Sequence, residues 1–167
     1  MKIKPKTIAF IGIGTALAMI LAYLEALIPP LFPAVPGIKM GLSNIIIVFL
    51  LYRKGPLFAS TVSLLRIILV SILFGNLMAF FYSLAGGVLS MLVMVLLGKF
   101  RILSTVGVSV AGAVMHNVGQ VLMAMLLLET AELGYYLVVL TVTGTIAGVL
   151  IGLCGALLIK RIPQSII

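Results

Sequence analysis

Hydrophobic residues form long, nearly uninterrupted runs along this chain, and short polar or proline-containing segments separate them. Runs of this length predict membrane-spanning helices, because a bilayer core about 30 Å thick needs roughly 20 apolar residues per helix. Six helices are predicted, at residues 7–28, 40–52, 55–74, 77–97, 105–128 and 135–159. The second is short for a full crossing, so we expect it to be tilted, extended by the preceding loop or set partly within the protein.

The loop at residues 29–39 combines several apolar side chains with four prolines, Pro29, Pro30, Pro33 and Pro36. The first two prolines end the first helix, because proline lacks the backbone N–H and clashes with the preceding turn. This composition is unusual for a solvated linker. We expect the loop to fold back over the bundle as a lid.

Composition supports a membrane protein, since 63% of the 167 residues are hydrophobic and 8% are charged. Six spans with short loops use nearly the whole chain, so residues 1–167 are expected to form one integral membrane domain, an all-α bundle of six helices. The net charge of +8 does not indicate nucleic-acid binding, because the basic residues lie in small clusters between apolar runs.

The basic clusters predict the orientation of the chain. Lys39 lies alone on one side of the predicted topology, whereas nine cations lie on the other: Lys2, Lys4, Lys6, Arg53, Lys54, Lys99, Arg101, Lys160 and Arg161. Because cytoplasmic loops carry the excess of lysine and arginine, the crowded side is expected to be cytoplasmic. Both termini then lie inside, and the chain is a multi-pass protein of the plasma membrane.

Strongly polar side chains cluster in the predicted outer half, where their cost implies that they face the bundle interior or a cavity. Arg66 lies within the third helix, and His116, Asn117 and Gln120 lie within the fifth at spacings that place them on one helix face. Four more polar residues lie towards the same end: Lys39, Asn44, Asn76 and Ser83. Together they predict a substrate site for a small polar or anionic molecule.

Each of these residues also has a structural interpretation that the sequence leaves open. Arg66 either contacts substrate or forms an ion pair with Glu25. His116 is either a ligand contact or a packed core histidine. Asn76, which follows Gly75, is either a site residue or part of a turn.

Small residues recur every four positions on two helices. The first helix carries Gly14, Ala18, Ala22 and Ala26, and the sixth carries Gly144, Gly148 and Gly152. Such ladders let helix backbones approach closely. Internal packing is the favoured interpretation for the sixth helix, whereas for the first a groove on a partner protein is equally compatible.

The residues that are absent restrict the chemistry. The chain has no aspartate, no G-x-x-x-x-G-K-[ST] phosphate loop, one histidine and one cysteine, Cys154. Diphosphate-metal sites, ATP hydrolysis by a phosphate loop and transition-metal clusters therefore lack their usual ligands. We expect no catalytic residue, no metal site and no cofactor in this chain.

Five features together resemble the Gx transporter family, whose members are often labelled heptaprenyl diphosphate synthase component I. They are residues 36–44 (PGIKMGLSN), Arg66, residues 74–77 (FGNL), residues 83–87 (SLAGG) and residues 116–120 (HNVGQ). The likeness covers nearly the whole chain. More broadly, the chain is similar to the substrate-binding S components of energy-coupling factor transporters.

The resemblance implies a six-helix S-component fold with a substrate site in the outer half, gated by the loop after the first helix. It also implies that the small-residue face of the first helix docks on a transmembrane coupling subunit driven by two ATPases. The cobalt and nickel members begin Met-His, whereas Lys2 follows Met1 here, so metal uptake is disfavoured. The alternative is a non-catalytic accessory subunit of a polyprenyl diphosphate synthase, because prenyl elongation needs acidic ligands that this chain lacks.

Overall fold

The computed structural model describes residues 5–27, 41–100 and 103–163. Within these ranges the chain forms six α-helices and one short 3-10 helix. The α-helices are α1 (Pro5–Ala26), α2 (Asn44–Lys54), α3 (Pro56–Phe74), α4 (Leu77–Phe100), α5 (Thr105–Leu128) and α6 (Tyr136–Arg161), and the 3-10 helix Ala131–Tyr135 precedes α6. The membrane-protein class is supported, since five of the described helices are long and apolar enough to cross a bilayer.

Local sequence accounts for several helix ends. Pro56 stands in the first turn of α3, where its missing N–H has no helical partner to lose. The hydroxyl of Ser104 accepts a hydrogen bond from the Gly107 amide at the start of α5. Asn76 caps α4 through its Oδ1, which accepts a hydrogen bond from the Ala79 amide at 2.8 Å. These caps fix the connections that place α4 and α5 side by side.

The predicted second span corresponds to the short helix α2, which is not among the five described helices that are long and apolar enough to cross a bilayer. It has 11 residues, which is a length of about 16 Å at 1.5 Å per residue and half of a bilayer core. Its side chains from Ile46 to Leu50 are all buried, because it packs against α1, α3 and α6. Its burial fits a helix set partly within the protein, whereas the expected extension by the preceding loop falls on residues that the structure does not describe. The predicted loop at residues 29–39 and the start of the predicted helix at Met40 lie outside the described residues.

The glycine ladder of α6 packs within the bundle, as favoured by the sequence. A Cβ atom at Gly148 would lie 2.7 Å from the Cα of Val110, and one at Gly152 would lie 2.8 Å from the Cα of Val106. Such distances require glycine, so α6 and α5 approach backbone to backbone. Helix α5 therefore lies between α6 and α4, on which it also packs extensively.

The small-residue face of α1 also packs against helices of the same chain. Ala18 is 0% exposed and Ala22 is 1% exposed, and Gly14 lies against Leu50 and Val62 of α2 and α3. Only Ala26 of the predicted stripe is exposed. Small residues at every fourth position allow close packing on any neighbouring helix. Here the neighbouring helices belong to the same chain.

Two contacts place the ends of three helices together. The Arg53 guanidinium at the end of α2 donates to the carbonyls of Ile159 and Ile162 at the end of α6, and the Lys54 ammonium lies 5.1 Å from the ring centre of Phe10 in α1. We call this end of the bundle, where α1 begins and α2 and α6 finish, the basic end. Lys2, Lys4 and Arg101 lie outside the described residues.

Candidate functional site

Three polar side chains from α3 and α5 are buried towards the end of the bundle that is opposite to the basic end. Arg66 is 6% exposed, His116 is 4% exposed and Gln120 is 0% exposed. Arg66 and His116 lie within electrostatic range of each other. Helix α3 and helix α5 therefore supply polar groups to one buried region, and we call these three residues the Arg66 cluster.

Glycines on α4 and α5 create the space for this cluster. A Cβ atom at Gly86 of α4 would lie 2.7 Å from the His116 carbonyl oxygen, 2.9 Å from the Gln120 Cγ and 3.1 Å from the His116 Cε1. A Cβ atom at Gly119 of α5 would lie 2.7 Å from the Ala85 carbonyl oxygen. At the crossing of the two helices, α4 therefore contributes Gly86 and α5 contributes Gly119. His116 and Gln120 pack directly on the α4 backbone.

Glu25, near the end of α1, brings an acidic group to the same region. Its Oε1 accepts a hydrogen bond from the Gly41 amide at 2.6 Å, and its Oε2 accepts one from the Leu42 amide at 3.0 Å. These amides lie just before α2, where a carboxylate is stabilised by the positive end of the helix dipole. Glu25 also interacts electrostatically with Arg66. It therefore ties the chain before α2 to α1 and sets part of the field around the guanidinium.

Five buried atoms of the cluster lack a hydrogen-bond partner within the described part of the chain. They are Nε and Nη2 of Arg66, Nδ1 of His116, and both amide atoms of Gln120, Oε1 and Nε2. A buried polar group without a partner costs about 1–3 kcal/mol, and more when it is charged. Structural ion pairing with Glu25 alone does not account for this, since two nitrogens of Arg66 stay without a hydrogen bond. Arg66 and the Gln120 Nε2 offer donors to an anion, the Gln120 Oε1 offers an acceptor to an N–H or O–H group, and the His116 Nδ1 donates or accepts according to the tautomer of the ring.

Asn117 lies on another side of α5 from His116 and Gln120. Its Nδ2 donates to the Leu140 carbonyl of α6 at 2.7 Å, and a Cβ atom at Gly144 would lie 2.5 Å from that nitrogen. The expected shared face of the three residues is thus split between two neighbours, α4 and α6. Here Asn117 joins α5 to α6, and its role toward a ligand stays a prediction.

The remaining predicted site residues are distributed differently. Asn44 is buried at the start of α2, and its Nδ2 would lie 2.9 Å from a Cβ atom at Gly41. Ser83 is buried on α4, one turn before Gly86. Asn76 is exposed and caps α4, which matches its interpretation as a turn residue. Lys39 lies outside the described residues.

Ser43 is a buried polar residue that the sequence analysis did not single out. It is 0% exposed, and its Oγ lacks a hydrogen-bond partner in the described ranges. The signal was available, because Ser43 directly precedes Asn44 within an otherwise apolar stretch. It lies one residue from Leu42, whose amide binds Glu25.

Comparison with known proteins gives a family for this chain. Searches of curated proteins and of solved structures found no match. A family model described as heptaprenyl diphosphate synthase component I matches residues 15–158. That range includes Glu25, Arg66, His116 and Gln120, and it covers well over half of the sequence. The chain therefore belongs to the heptaprenyl diphosphate synthase component I family.

Proposed function

We propose that this chain is the substrate-binding subunit of an importer of the energy-coupling factor type, which captures a small polar or anionic organic molecule. The observation that carries the proposal is the set of five unpartnered atoms on Arg66, His116 and Gln120. The close helix contacts of this bundle are made by glycines, so helix packing does not require the unpartnered polar groups of Arg66, His116 and Gln120. A ligand that pairs with them would recover the free energy that their burial costs.

The side chains indicate the chemistry of this ligand. A guanidinium forms two parallel hydrogen bonds with a carboxylate or a phosphate. The Gln120 amide can donate and accept at once, which fixes the orientation of a bound molecule. Vitamins and precursors of quinones or isoprenoids contain such groups, and all of them remain compatible with the site.

Transport requires partners, and we propose a transmembrane coupling subunit with two ATPases that use ATP. The support is the resemblance to S components together with the lack of a phosphate loop in the sequence. Because Gly14, Ala18 and Ala22 are buried within the chain, the coupling subunit would contact a different surface.

We further propose that the basic end faces the cytoplasm and that the chain lies in the plasma membrane. Lys6, Arg53, Lys54, Lys160 and Arg161 gather at this end, and the positive-inside rule assigns such clusters to the cytoplasm. The Arg66 cluster then lies towards the outside, which is the direction from which an importer collects its substrate.

Affinity purification from native membranes tests the transporter proposal. A tagged chain should co-purify with one membrane coupling subunit and with ATPases in mild detergent. Recovery of neither the coupling subunit nor the ATPases, under conditions that retain other membrane complexes, would contradict it.

The family name favours a second candidate, a non-catalytic membrane subunit of a polyprenyl diphosphate synthase. In that case the tagged chain should co-purify with a soluble prenyl synthase subunit, and its addition should change the chain length of the product. A product distribution that is the same with and without this chain would exclude the accessory role.

A further inference from the structure

An apolar cavity lies towards the basic end, apart from the Arg66 cluster. It is an apolar groove of about 300 Å³ between α1, α2 and α6. We call it the α1–α6 groove, and its walls include Phe10, Ile13, Leu17, Ile46, Phe49 and Leu158. Among the described residues, these walls are formed by apolar side chains and Gly14, so the groove suits a hydrocarbon chain.

On α1, the face that lines the groove also carries Lys6 at the basic end. Phe10, Ile13 and Leu17 repeat at spacings of three and four residues, so they form one face of the helix. Lys6 precedes Phe10 by four residues and therefore extends the same face by one turn. Lys6 is exposed.

On α2, the face that lines the groove also carries a cation, Arg53, at the basic end. Ile46 and Phe49 share a face of α2, and Arg53 lies four residues after Phe49 on that face. Because α1 begins where α2 ends, the helical spacing is expected to bring Lys6 and Arg53 to the same mouth of the groove. The Lys54 ammonium lies over the Phe10 ring at 5.1 Å, which places a further positive charge at this mouth.

The groove opens sideways towards lipid. Ile13 is 61% exposed and Leu17 is 47% exposed on its α1 edge, although both belong to a helix that is apolar enough to span the membrane. A molecule in the surrounding leaflet can thus enter without passing through the bundle.

We propose that the α1–α6 groove binds one anionic phospholipid, with an acyl chain along the apolar walls and the phosphate between Lys6 and Lys54. The positive mouth complements a negative headgroup, and basic pockets between spanning helices are typical sites for such lipids. Arg53 donates to the carbonyls of α6, so it holds the two walls together at the headgroup level. The lipid would stabilise the contact between α2 and α6.

Thermal unfolding of the purified full chain in non-ionic detergent tests this site with two probes, phosphatidylglycerol and phosphatidylcholine. Phosphatidylglycerol should raise the unfolding temperature in a saturable manner, and phosphatidylcholine should not. Equal stabilisation by both lipids would overturn the proposal. So would stabilisation by farnesyl diphosphate at lower concentrations than phosphatidylglycerol, because the occupant would then be a prenyl diphosphate.

The headgroup contact has a matched pair of charge variants. Lys6→Gln should weaken phosphatidylglycerol binding about fivefold, since a cation near a lipid headgroup contributes about 1 kcal/mol and 1.4 kcal/mol is tenfold. Lys99→Gln removes the same charge from the exposed last turn of α4, which does not line the groove, and should leave binding unchanged. Equal weakening by both variants would show a general charge effect and would overturn the site.

The acyl contact has a matched pair of steric variants. Ile13→Trp should fill the groove and reduce the saturable lipid effect by at least fivefold without unfolding the protein, because Ile13 is mostly exposed. Ile8 is 60% exposed and lies on the opposite face of α1 from Phe10, so Ile8→Trp should bind like the wild type. Undiminished binding by Ile13→Trp would overturn the assignment of the groove.

Discussion

At the scale of single residues, Gly86 decides how closely α4 and α5 approach. The carbonyl oxygen of His116 and the side chains of His116 and Gln120 occupy the volume that a Cβ atom at this position would need. The packing and the candidate site therefore depend on the same glycine. A change at this position must move either the α5 backbone or the polar cluster.

Gly86→Ala is expected to destabilise the protein by about 1–3 kcal/mol, since overpacking of a close helix crossing has a cost of this size. Unfolding by denaturant in detergent measures the change. Gly98→Ala on the same helix is the control, because no atom lies within 4 Å of its Cβ position, and it should be neutral or slightly stabilising. Equal stability of both variants would contradict the close crossing.

Gln120→Met is expected to stabilise the ligand-free protein by about 1–3 kcal/mol, because it replaces a buried, unpartnered amide with an apolar group of similar length. The same change should abolish ligand binding. The free energy of unfolding is measured on protein that has been washed free of small molecules. A loss of stability would show that the amide has partners in the unliganded protein.

At the scale of elements, α2 shows what the sequence could and could not predict. The bounds of α5, 105–128, were predicted correctly because an apolar run follows the Ser104 cap. The eight apolar residues from Ile45 to Tyr52 fit either a partial span or a buried helix, since a helix that is apolar on all sides has no preferred face. Only the neighbours α1, α3 and α6 distinguish the two.

The candidate site was predictable to a similar degree. Strongly polar residues within long apolar runs are easy to recognise in a sequence, and Arg66, His116 and Gln120 were selected on this basis. Which neighbour each one meets depends on helix rotation and packing, and so Asn117 was expected beside His116 but contacts α6. The spacing of Ala18 and Ala22 likewise predicted close packing without identifying the partner.

Glu25→Ala should weaken the start of α2, because it removes the acceptor of two backbone amides and the negative charge near Arg66. We expect a loss of roughly 1–3 kcal/mol, and faster amide hydrogen exchange at Gly41 and Leu42. Glu132→Ala is the control, since Glu132 is exposed and surface changes of this kind stay within about 0.5 kcal/mol. Unchanged exchange at both amides in Glu25→Ala would contradict the capping role.

At the scale of the whole molecule, the short helix α2 returns the chain from the end of α1 to the basic end, where α3 begins, although its 11 residues reach across only about half of a bilayer core. The contacts of Arg53 and Lys54 already place the start of α1 and the end of α6 at one end of the bundle.

Labelling of single cysteines tests the proposed orientation. In a Cys154→Ala background, Glu132→Cys places a thiol at the end opposite to the basic end, and Leu103→Cys places one at the basic end between α4 and α5. A membrane-impermeant maleimide added to intact cells should label the first and not the second. The reverse pattern would place the basic end outside and the Arg66 cluster inside.

The central claim is that the Arg66 cluster binds a small molecule, and native mass spectrometry of the protein purified from its own membranes tests it most directly. The wild type and the control Arg161→Ala, whose residue is exposed at the end of α6, should retain one small molecule of the same mass. Arg66→Ala should lose it while it stays folded by circular dichroism. No bound small molecule in the wild type, or the same occupancy in folded Arg66→Ala, would contradict the account.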